Sequence, residues 1–240
     1  MRNFNREKVE MTRFAVAMII LIAMICSFAV AQDLTPKVQV FGGYSLVHAG
    51  TGGLTGPAVD SALGVPSGTF GVASNFNGWN AEAQYDVTRW VGIVADFGGR
   101  YGTPITASSA SGVSGLPNLS AYSFLFGPVL SYKTKARMTP FVHALFGWDR
   151  ASLSASALSG VPFSSSSAAT TYTDFAMALG GGLDYKLSRH LAVRVGQLDY
   201  LYTGHDLNSL YGSAFGPGRF QGLASQENNL RFSAGIVLRF

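Results

Sequence analysis

The sequence predicts an all-β fold: an eight-stranded antiparallel up-and-down transmembrane β-barrel, preceded by a cleavable signal peptide. Three observations predict it. Eight segments alternate apolar and polar residues with period two, the connections between them alternate long and short, and nearly every charged residue in those segments falls on one face. The plainest segment is the last, residues 229–240. Leu230, Phe232, Ala234, Ile236, Leu238 and Phe240 fall on one side, and Arg231, Ser233, Gly235, Val237 and Arg239 on the other. Successive side chains of a strand point to opposite faces, so one face is wholly apolar and the other holds two arginines. A strand of roughly 9–11 residues with this alternation crosses a membrane at a tilt.

The composition agrees. Only 12% of the 240 residues are charged, against roughly 25% in an average globular chain. Polarity comes instead from Ser, Thr, Asn and the 29 glycines. Residues 1–13 carry Arg2, Arg6, Lys8 and Arg13, residues 14–31 are apolar apart from Ser27, and Ala29-Val30-Ala31 precedes Gln32. This is the layout of a secretory signal peptide cleaved after Ala31. The apolar run is also long enough for a transmembrane helix. The small-x-small site, and an outer-membrane destination that a retained anchor would prevent, favour cleavage. The expected division is therefore a signal peptide at 1–31 and a barrel domain at 32–240. Cys26, the single cysteine, goes with the signal, and Ile25 before it does not suit a lipoprotein site. The mature chain then has no thiol, disulfide or cysteine metal ligand. Four bases and two acids leave with residues 1–31, so the formal charge of +4 falls to +2. The basic balance gives no argument for nucleic acid.

Taken in order, residues 37–47 alternate and form the first strand. Residues 48–75 are rich in Gly, Ser and Pro without period and read as a long loop. Residues 76–86 place Trp79, Ala81, Ala83 and Tyr85 against Asn80, Glu82, Gln84 and Asp86. After a short turn, residues 90–101 oppose Val91, Ile93, Ala95 and Phe97 to Gly92, Val94, Asp96 and Arg100. Residues 102–119 form a second long loop. Residues 120–133 follow, with a bulge expected at Pro128, which lacks a ladder donor. Residues 140–150 set Val142, Ala144, Phe146 and Trp148 outward and His143, Gly147 and Asp149 inward. Residues 151–171, with the serine run at 164–167, form the third long loop. Residues 172–185 put Phe175, Met177, Leu179 and Leu183 against Gly180, Gly182 and Asp184. In residues 190–202 strict alternation fails, because Arg194 and Asp199 have opposite parity. One extra residue near Gly196 aims Arg194, Gln197 and Asp199 the same way, so a β-bulge is expected there. Residues 203–228 make the fourth long loop before the closing strand. Brief turns at one end and long loops at the other are expected of outer-membrane barrels.

The face assignment selects the solvent. Glu82, Asp86, Asp96, Arg100, Lys133, His143, Asp149, Asp184, Arg194, Asp199, Arg231 and Arg239 all fall inward. An Arg or Lys facing lipid at mid-membrane costs about 2–4 kcal/mol, whereas a water-soluble barrel is charged outside. Closure satisfies every backbone group and removes sheet edges. Eight strands leave an interior that side chains fill, so the inward charges are expected to form a neutralised plug. Glycines 92, 127, 147, 180, 182 and 235 are expected to make room for the arginines. Tyrosines and tryptophans near both strand ends, among them Tyr44, Tyr85, Trp90, Tyr101, Tyr122, Tyr132, Trp148 and Tyr200, suit girdles at the two membrane boundaries.

With these strands placed, the segments VFGGYS (40–45), FGPVLSY (126–132), PFVHALFG (140–147), FAMALGGGLDY (175–185), RVGQLDY (194–200) and RFSAGIVLRF (231–240) resemble the outer membrane protein A-like family of small eight-stranded barrels. The resemblance implies a bacterial outer-membrane location. It also implies outer-membrane lipid as surroundings, and periplasmic chaperones and the barrel-assembly machinery as partners. Ser233, Gly235, Leu238 and Phe240 resemble the closing-strand signal that this machinery reads. The sequence ends at the barrel, so the periplasmic peptidoglycan-binding domain of two-domain members is expected to be lacking.

Little in the sequence suggests chemistry. His205 and Asp206 lie near Ser209 in a loop, but a triad is recognised by geometry and not by closeness in sequence. No His/Cys cluster suggests a transition metal. Gly180, Gly181 and Gly182 lie within a strand and are no phosphate loop. No catalytic, cofactor-binding or metal-ligating residue is assigned, and the chain is expected not to be an enzyme. The expected role is structural or surface-interacting, with an extracellular ligand met through the loops. The alternatives are a narrow ion or small-solute pore and, less favoured, a lipid-modifying enzyme.

Overall fold

The structure is a computed structural model that describes residues 37–108, 112–133, 136–156, 159, 168–204, 206 and 226–240. The expected signal segment, with Cys26 and Ala31, lies outside the described residues, as do His205, Ser209 and residues 164–167. The described elements are β1 (Val38–His48), helix α1 (Gly56–Leu63), β2 (Phe70–Val72), β3 (Asn75–Asp86), β4 (Val91–Gly102), β5 (Ile105–Ala107), β6 (Asn118–Ser131), β7 (Met138–Ala155), β8 (Ala168–Lys186), β9 (Leu191–Thr203) and β10 (Glu227–Arg239). Eight of the strands close a barrel in the order β1, β10, β9, β8, β7, β6, β4, β3, with antiparallel pairing throughout. The seam between the first and last strands runs from Gln39 opposite Arg239 to His48 opposite Leu230.

Burial follows the period-two pattern. In β1 residues 39, 41, 45 and 47 are buried while 38, 40, 44 and 46 are exposed. The exposed face is a continuous apolar band that includes Ile93, Phe126, Leu130, Val142, Leu179, Leu198 and Ile236. At the short-turn end Trp90 packs on Tyr132 with ring centroids 4.8 Å apart. At the other end Tyr101 stacks edge-on to Tyr122 at 5.8 Å, and Trp79 Nε1 donates to the Tyr101 hydroxyl at 3.2 Å. Trp90 directly precedes β4 and Tyr101 stands near its far end. At ~3.4 Å rise per residue and ~40° tilt the two positions differ in height by roughly 28 Å along the barrel axis, close to the ~25 Å apolar band of outer-membrane barrels. Two aromatic girdles thus bracket a lipid-facing surface.

The expected bulge is present. Leu183 pairs with Gly196 but Asp184 pairs with Arg194, so Val195 is extra on β9. The same slip appears against β10 between Ser233 and Gly235. No bulge forms at Pro128. Phe126 lies opposite Phe146 and Val129 opposite His143, so the register runs straight through. The proline leaves a gap in the pairing with β7 at residues 127 and 128, and Gly127 tolerates the close approach of the Ala144 carbonyl there.

Two of the long loops hold regular structure that their composition does not announce. Residues 48–75 hold α1 and β2, residues 102–119 hold β5, and β2 pairs with β5 in a separate two-stranded sheet. Strands β7 and β8 also run past the expected ends at 150 and 172, into what reads as the third loop. Thr55 caps α1 by accepting from the Ala58 N–H, and Gly64 ends it at φ 67°, a left-handed conformation that glycine adopts without strain. Leu54, Val59, Leu63, Phe70, Ile105 and Leu153 close over each other as a small core at the long-loop end. The Asp60 carboxylate accepts from the Gly68 and Phe70 N–H groups at 2.7 and 2.9 Å, which pins the α1–β2 link to the helix.

Candidate functional site

The interior is built by alternation on β3, β4, β9 and β10. Strand β3 turns Asn80, Glu82, Gln84 and Asp86 inward, and β4 turns Asp96 and Arg100 inward. The extra residue in β9 lets Arg194, Gln197 and Asp199 share that side. Two arginines act as struts. Arg231 on β10 and Asp96 on β4 are three strands apart around the ring, so their contact crosses the lumen. Arg231 Nη1 and Nη2 donate to the two Asp96 oxygens at 2.9 and 2.7 Å, while Nε and Nη2 donate to Asp199 Oδ2 at 3.0 and 2.8 Å. Arg194 on β9 likewise crosses to Glu82 on β3 at 2.6 Å and holds Asp184 at 2.9 Å. Bidentate and shared contacts of this kind are the strong form of the ion pair.

The struts join one network. Gln197 Nε2 donates to Glu82 at 2.7 Å and to Asp199 at 2.9 Å, tying the two arginine clusters together. His143 Nε2 lies 2.8 Å from Asp199 Oδ1. Toward the short-turn end Arg239 donates to Asp184 at 3.3 Å and to Gln39 at 3.0 Å, and Gln39 donates to Asp86 at 2.9 Å. Lys133 closes on Asp86. Nearer the long loops a second group pairs Arg100 with both Asp149 oxygens at 3.0 and 3.3 Å, with Glu227 at 3.9 Å. Two small cavities of about 10 and 20 Å³ lie beside Arg231 and Arg100. Each has room for roughly one water.

The wall made by β6, β7 and β8 is apolar between its inward polar residues His143, Asp149 and Asp184. Val94, Leu125, Val129, Phe141, Leu145, Ala176, Ala178 and Leu201 pack together inside, largely from β6, β7 and β8. Sequence reasoning set Val94 on the inward side but gathered only the charged residues and His143 into an interior network, so the apolar cluster was not assembled. It also missed Phe41 and Phe141. Their rings each lie 4.2 Å from the Arg194 Cζ and sandwich the guanidinium between them. The signal was available: Phe41 shares parity with Gln39, and Phe141 with His143.

The role expected of the glycines needs correction. An added Cβ at Gly127, Gly147 or Gly235 would meet a neighbouring strand's carbonyl within 2.3 Å, and one at Gly92 or Gly182 would meet other backbone or Phe141. Their nearest atoms include no arginine side chain, although Gly235 stands opposite Arg194 in the β9–β10 ladder. An arginine side chain does come close at Gly98, whose Cβ would lie 3.2 Å from Arg231 Nη1. Gly180 makes room for a carboxylate instead, since its Cβ would sit 2.1 Å from Asp199 Oδ1. Of the four residues at the closing end, Ser233, Gly235 and Leu238 lie on β10 and Phe240 follows directly after it. Ser233 is buried, Gly235 backs onto Gly42 of β1, and Leu238 and Phe240 face outward.

A closed barrel with an apolar exterior and an ionic interior matches one family. The family model for the outer membrane protein beta-barrel domain matches residues 17–240. The chain belongs to that family. It is an integral β-barrel protein of the bacterial outer membrane. Among solved structures this outer-membrane barrel is similar in fold to Ail, the attachment invasion locus protein of Yersinia pestis. The two are 14% identical with a TM-score of 0.50, over 86% of this chain and 100% of that one. It is similar also to Neisserial surface protein A, at 14% identity and a TM-score of 0.51, over 85% of this chain and 97% of that one. No curated protein matches the sequence. In the outer-membrane setting the short turns face the periplasm, and α1 with the β2–β5 sheet stands at the cell surface.

Proposed function

We propose that this outer-membrane barrel is a closed support for a folded surface platform, and that an extracellular ligand meets the platform and not the lumen. The observation that carries this reading is the pair of arginine struts, Arg231 to Asp96 and Arg194 to Glu82, which cross the lumen and brace it from within. Above them the small core around Leu54, Val59 and Ile105 holds α1 and β2 as a shaped surface. Rigid scaffolds that carry exposed loops are where binding residues concentrate. The test has two arms. The purified barrel should stay silent in a planar bilayer, and reproducible single-channel steps would transfer the role to a narrow pore. Cells displaying an Asp60→Ala variant, whose platform is unpinned, should lose several-fold in surface adhesion while the barrel still folds. Unchanged adhesion would remove the platform from the reading.

We propose further that residues 1–31 are a signal peptide removed before residues 32–240 enter the membrane. N-terminal sequencing of the membrane-inserted chain should begin at Gln32. On the same reading periplasmic chaperones carry the chain, and the assembly machinery reads Ser233, Gly235, Leu238 and Phe240. Phe240 is 65% exposed on the lipid side, so Phe240→Ala removes few internal contacts. It should cut the yield of folded barrel in cells several-fold yet leave refolding into detergent nearly unchanged. Equal losses in both settings would make the residue a stability contact instead of a signal. The reading assigns the chain no catalytic step.

A further inference from the structure

The periplasmic end carries a charge pattern that the surface role does not use. Residues 87–90, 132–137 and 187–190, which form the short turns, contain no Asp or Glu. Lys37, Arg89, Arg137, Lys186 and Arg189 are exposed there and have no ion-pair partner among the described residues. Lys133 is excluded from the set because it turns inward to Asp86.

Two of the turns are built alike. Val87-Thr88-Arg89-Trp90 and Leu187-Ser188-Arg189-His190 share the order apolar, hydroxyl, arginine, ring. In the first, the Val87 and Thr88 N–H groups donate to the Val91 carbonyl at 3.0 and 2.9 Å, and Thr88 Oγ1 accepts from Trp90 and Val91 at 3.2 and 3.0 Å. In the second, Leu187 and Ser188 donate to the Leu191 carbonyl at 3.0 and 2.9 Å, and Ser188 Oγ accepts from His190 and Leu191 at 3.3 and 3.1 Å. Each arginine is thus held on a tight, self-bonded turn.

The strand order spaces these cations around the mouth. Arg89 joins β3 to β4, Arg137 lies between β6 and β7, Lys186 and Arg189 lie between β8 and β9, and Lys37 sits at the β1–β10 seam. In a ring of eight strands these are every second junction, one in each quarter of the circumference. The arginine at 89 adjoins Trp90 of the lower girdle, and Trp90 packs on Tyr132. Aromatic girdles mark the headgroup level. A partner protein docks from one side, whereas this ring faces every direction at the height of lipid phosphates.

We infer that the periplasmic rim is a ring-shaped binding surface for the phosphates of anionic phospholipids in the inner leaflet. Each exposed cation near a headgroup plane attracts anionic lipid, and the attraction weakens with salt. The test uses a protein with Trp79→Phe and Trp148→Phe, which leaves Trp90 as the only tryptophan. It is reconstituted in phosphatidylcholine vesicles doped with brominated phosphatidylglycerol or brominated phosphatidylcholine. The brominated anionic lipid should quench Trp90 about threefold more effectively at low salt, and the preference should shrink near 0.5 M salt, where the Debye length is only about 4 Å. Adding Arg89→Gln, Arg137→Gln and Arg189→Gln should abolish it. If that variant does not show heat-modifiable migration, Arg89→Gln alone should lower the preference by about a third. Equal quenching by the two lipids, or a preference that the glutamines leave intact, overturns the inference. So does displacement of the preference by millimolar free glycerol phosphate, which would mark a site for soluble phosphate. Arginine-dependent co-sedimentation with purified peptidoglycan without lipid preference would assign the ring to the cell wall.

Discussion

Replacing Arg231 with methionine should lower the stability of the folded barrel by about 3–5 kcal/mol. Arg231 is 2% exposed and supplies four hydrogen bonds to Asp96 and Asp199, both of which are wholly buried. Methionine matches much of the aliphatic stem, so packing changes little. The cost comes from two carboxylates left inside the barrel without their cation. Asn80 still donates to Asp96 at 3.0 Å, and His143 and Gln197 still contact Asp199, but Asp96 keeps no cation partner. Urea titration followed by heat-modifiable gel migration reads the loss directly. The arrangement also makes a second outcome testable. Adding Asp96→Asn and Asp199→Asn to Arg231→Met removes the stranded charges and should recover at least half of the lost stability. A double or triple variant no better than Arg231→Met alone would show that the strut acts by shape and not by charge.

Phe126→Arg tests the other face and should also be severe. Phe126 is 56% exposed, and in water an exposed phenylalanine is replaced almost without cost. It pairs with Ala95 and Phe146, midway along β4 between Trp90 and Tyr101, and so sits near the bilayer centre. An arginine there costs about 2–4 kcal/mol, and the lost burial of the ring in lipid adds about 1.5–3 kcal/mol. Tyr132→Arg, at the girdle, should cost about 0–1 kcal/mol for the charge itself. Refolding yield into phospholipid vesicles compares the two. A Phe126→Arg protein as stable as its parent would contradict a lipid-facing surface.

Most of the barrel was legible because alternation in a strand is strict and the exterior tolerates almost no charge. Glu82, Asp96, Arg231 and Arg239 announce the inward face by parity alone. Even the irregular strand was readable, since Arg194 and Asp199 share a side only if one residue is skipped, and Val195 is that residue. Pairing inside the lumen was not legible. Parity places Arg231 inside but does not say that its partner lies 135 residues upstream, since that depends on closure and strand order. The platform was missed for a different reason. Its helix is eight residues long, too short for a period of 3.6 to stand out from the Gly, Ser and Pro around it. What holds it is a contact between separate loops, Leu54 and Phe70 against Ile105 and Leu153, which no local window contains. Pro128 misled because a missing donor was taken to need a change of register, whereas the ladder skips the position.

The seam between β1 and β10 has a consequence for how the molecule is made. Arg231 and Arg239 arrive on the last of the eight barrel strands, yet their acceptors Asp96, Asp199 and Asp184 belong to strands that precede it. Until that segment docks, those acids have no counter-ion from it, and an open sheet would expose them along with its unpaired edges. Zipping the seam and quenching the charge are therefore a single event. A nascent sheet that stops one strand short has nowhere comfortable to rest in hydrocarbon.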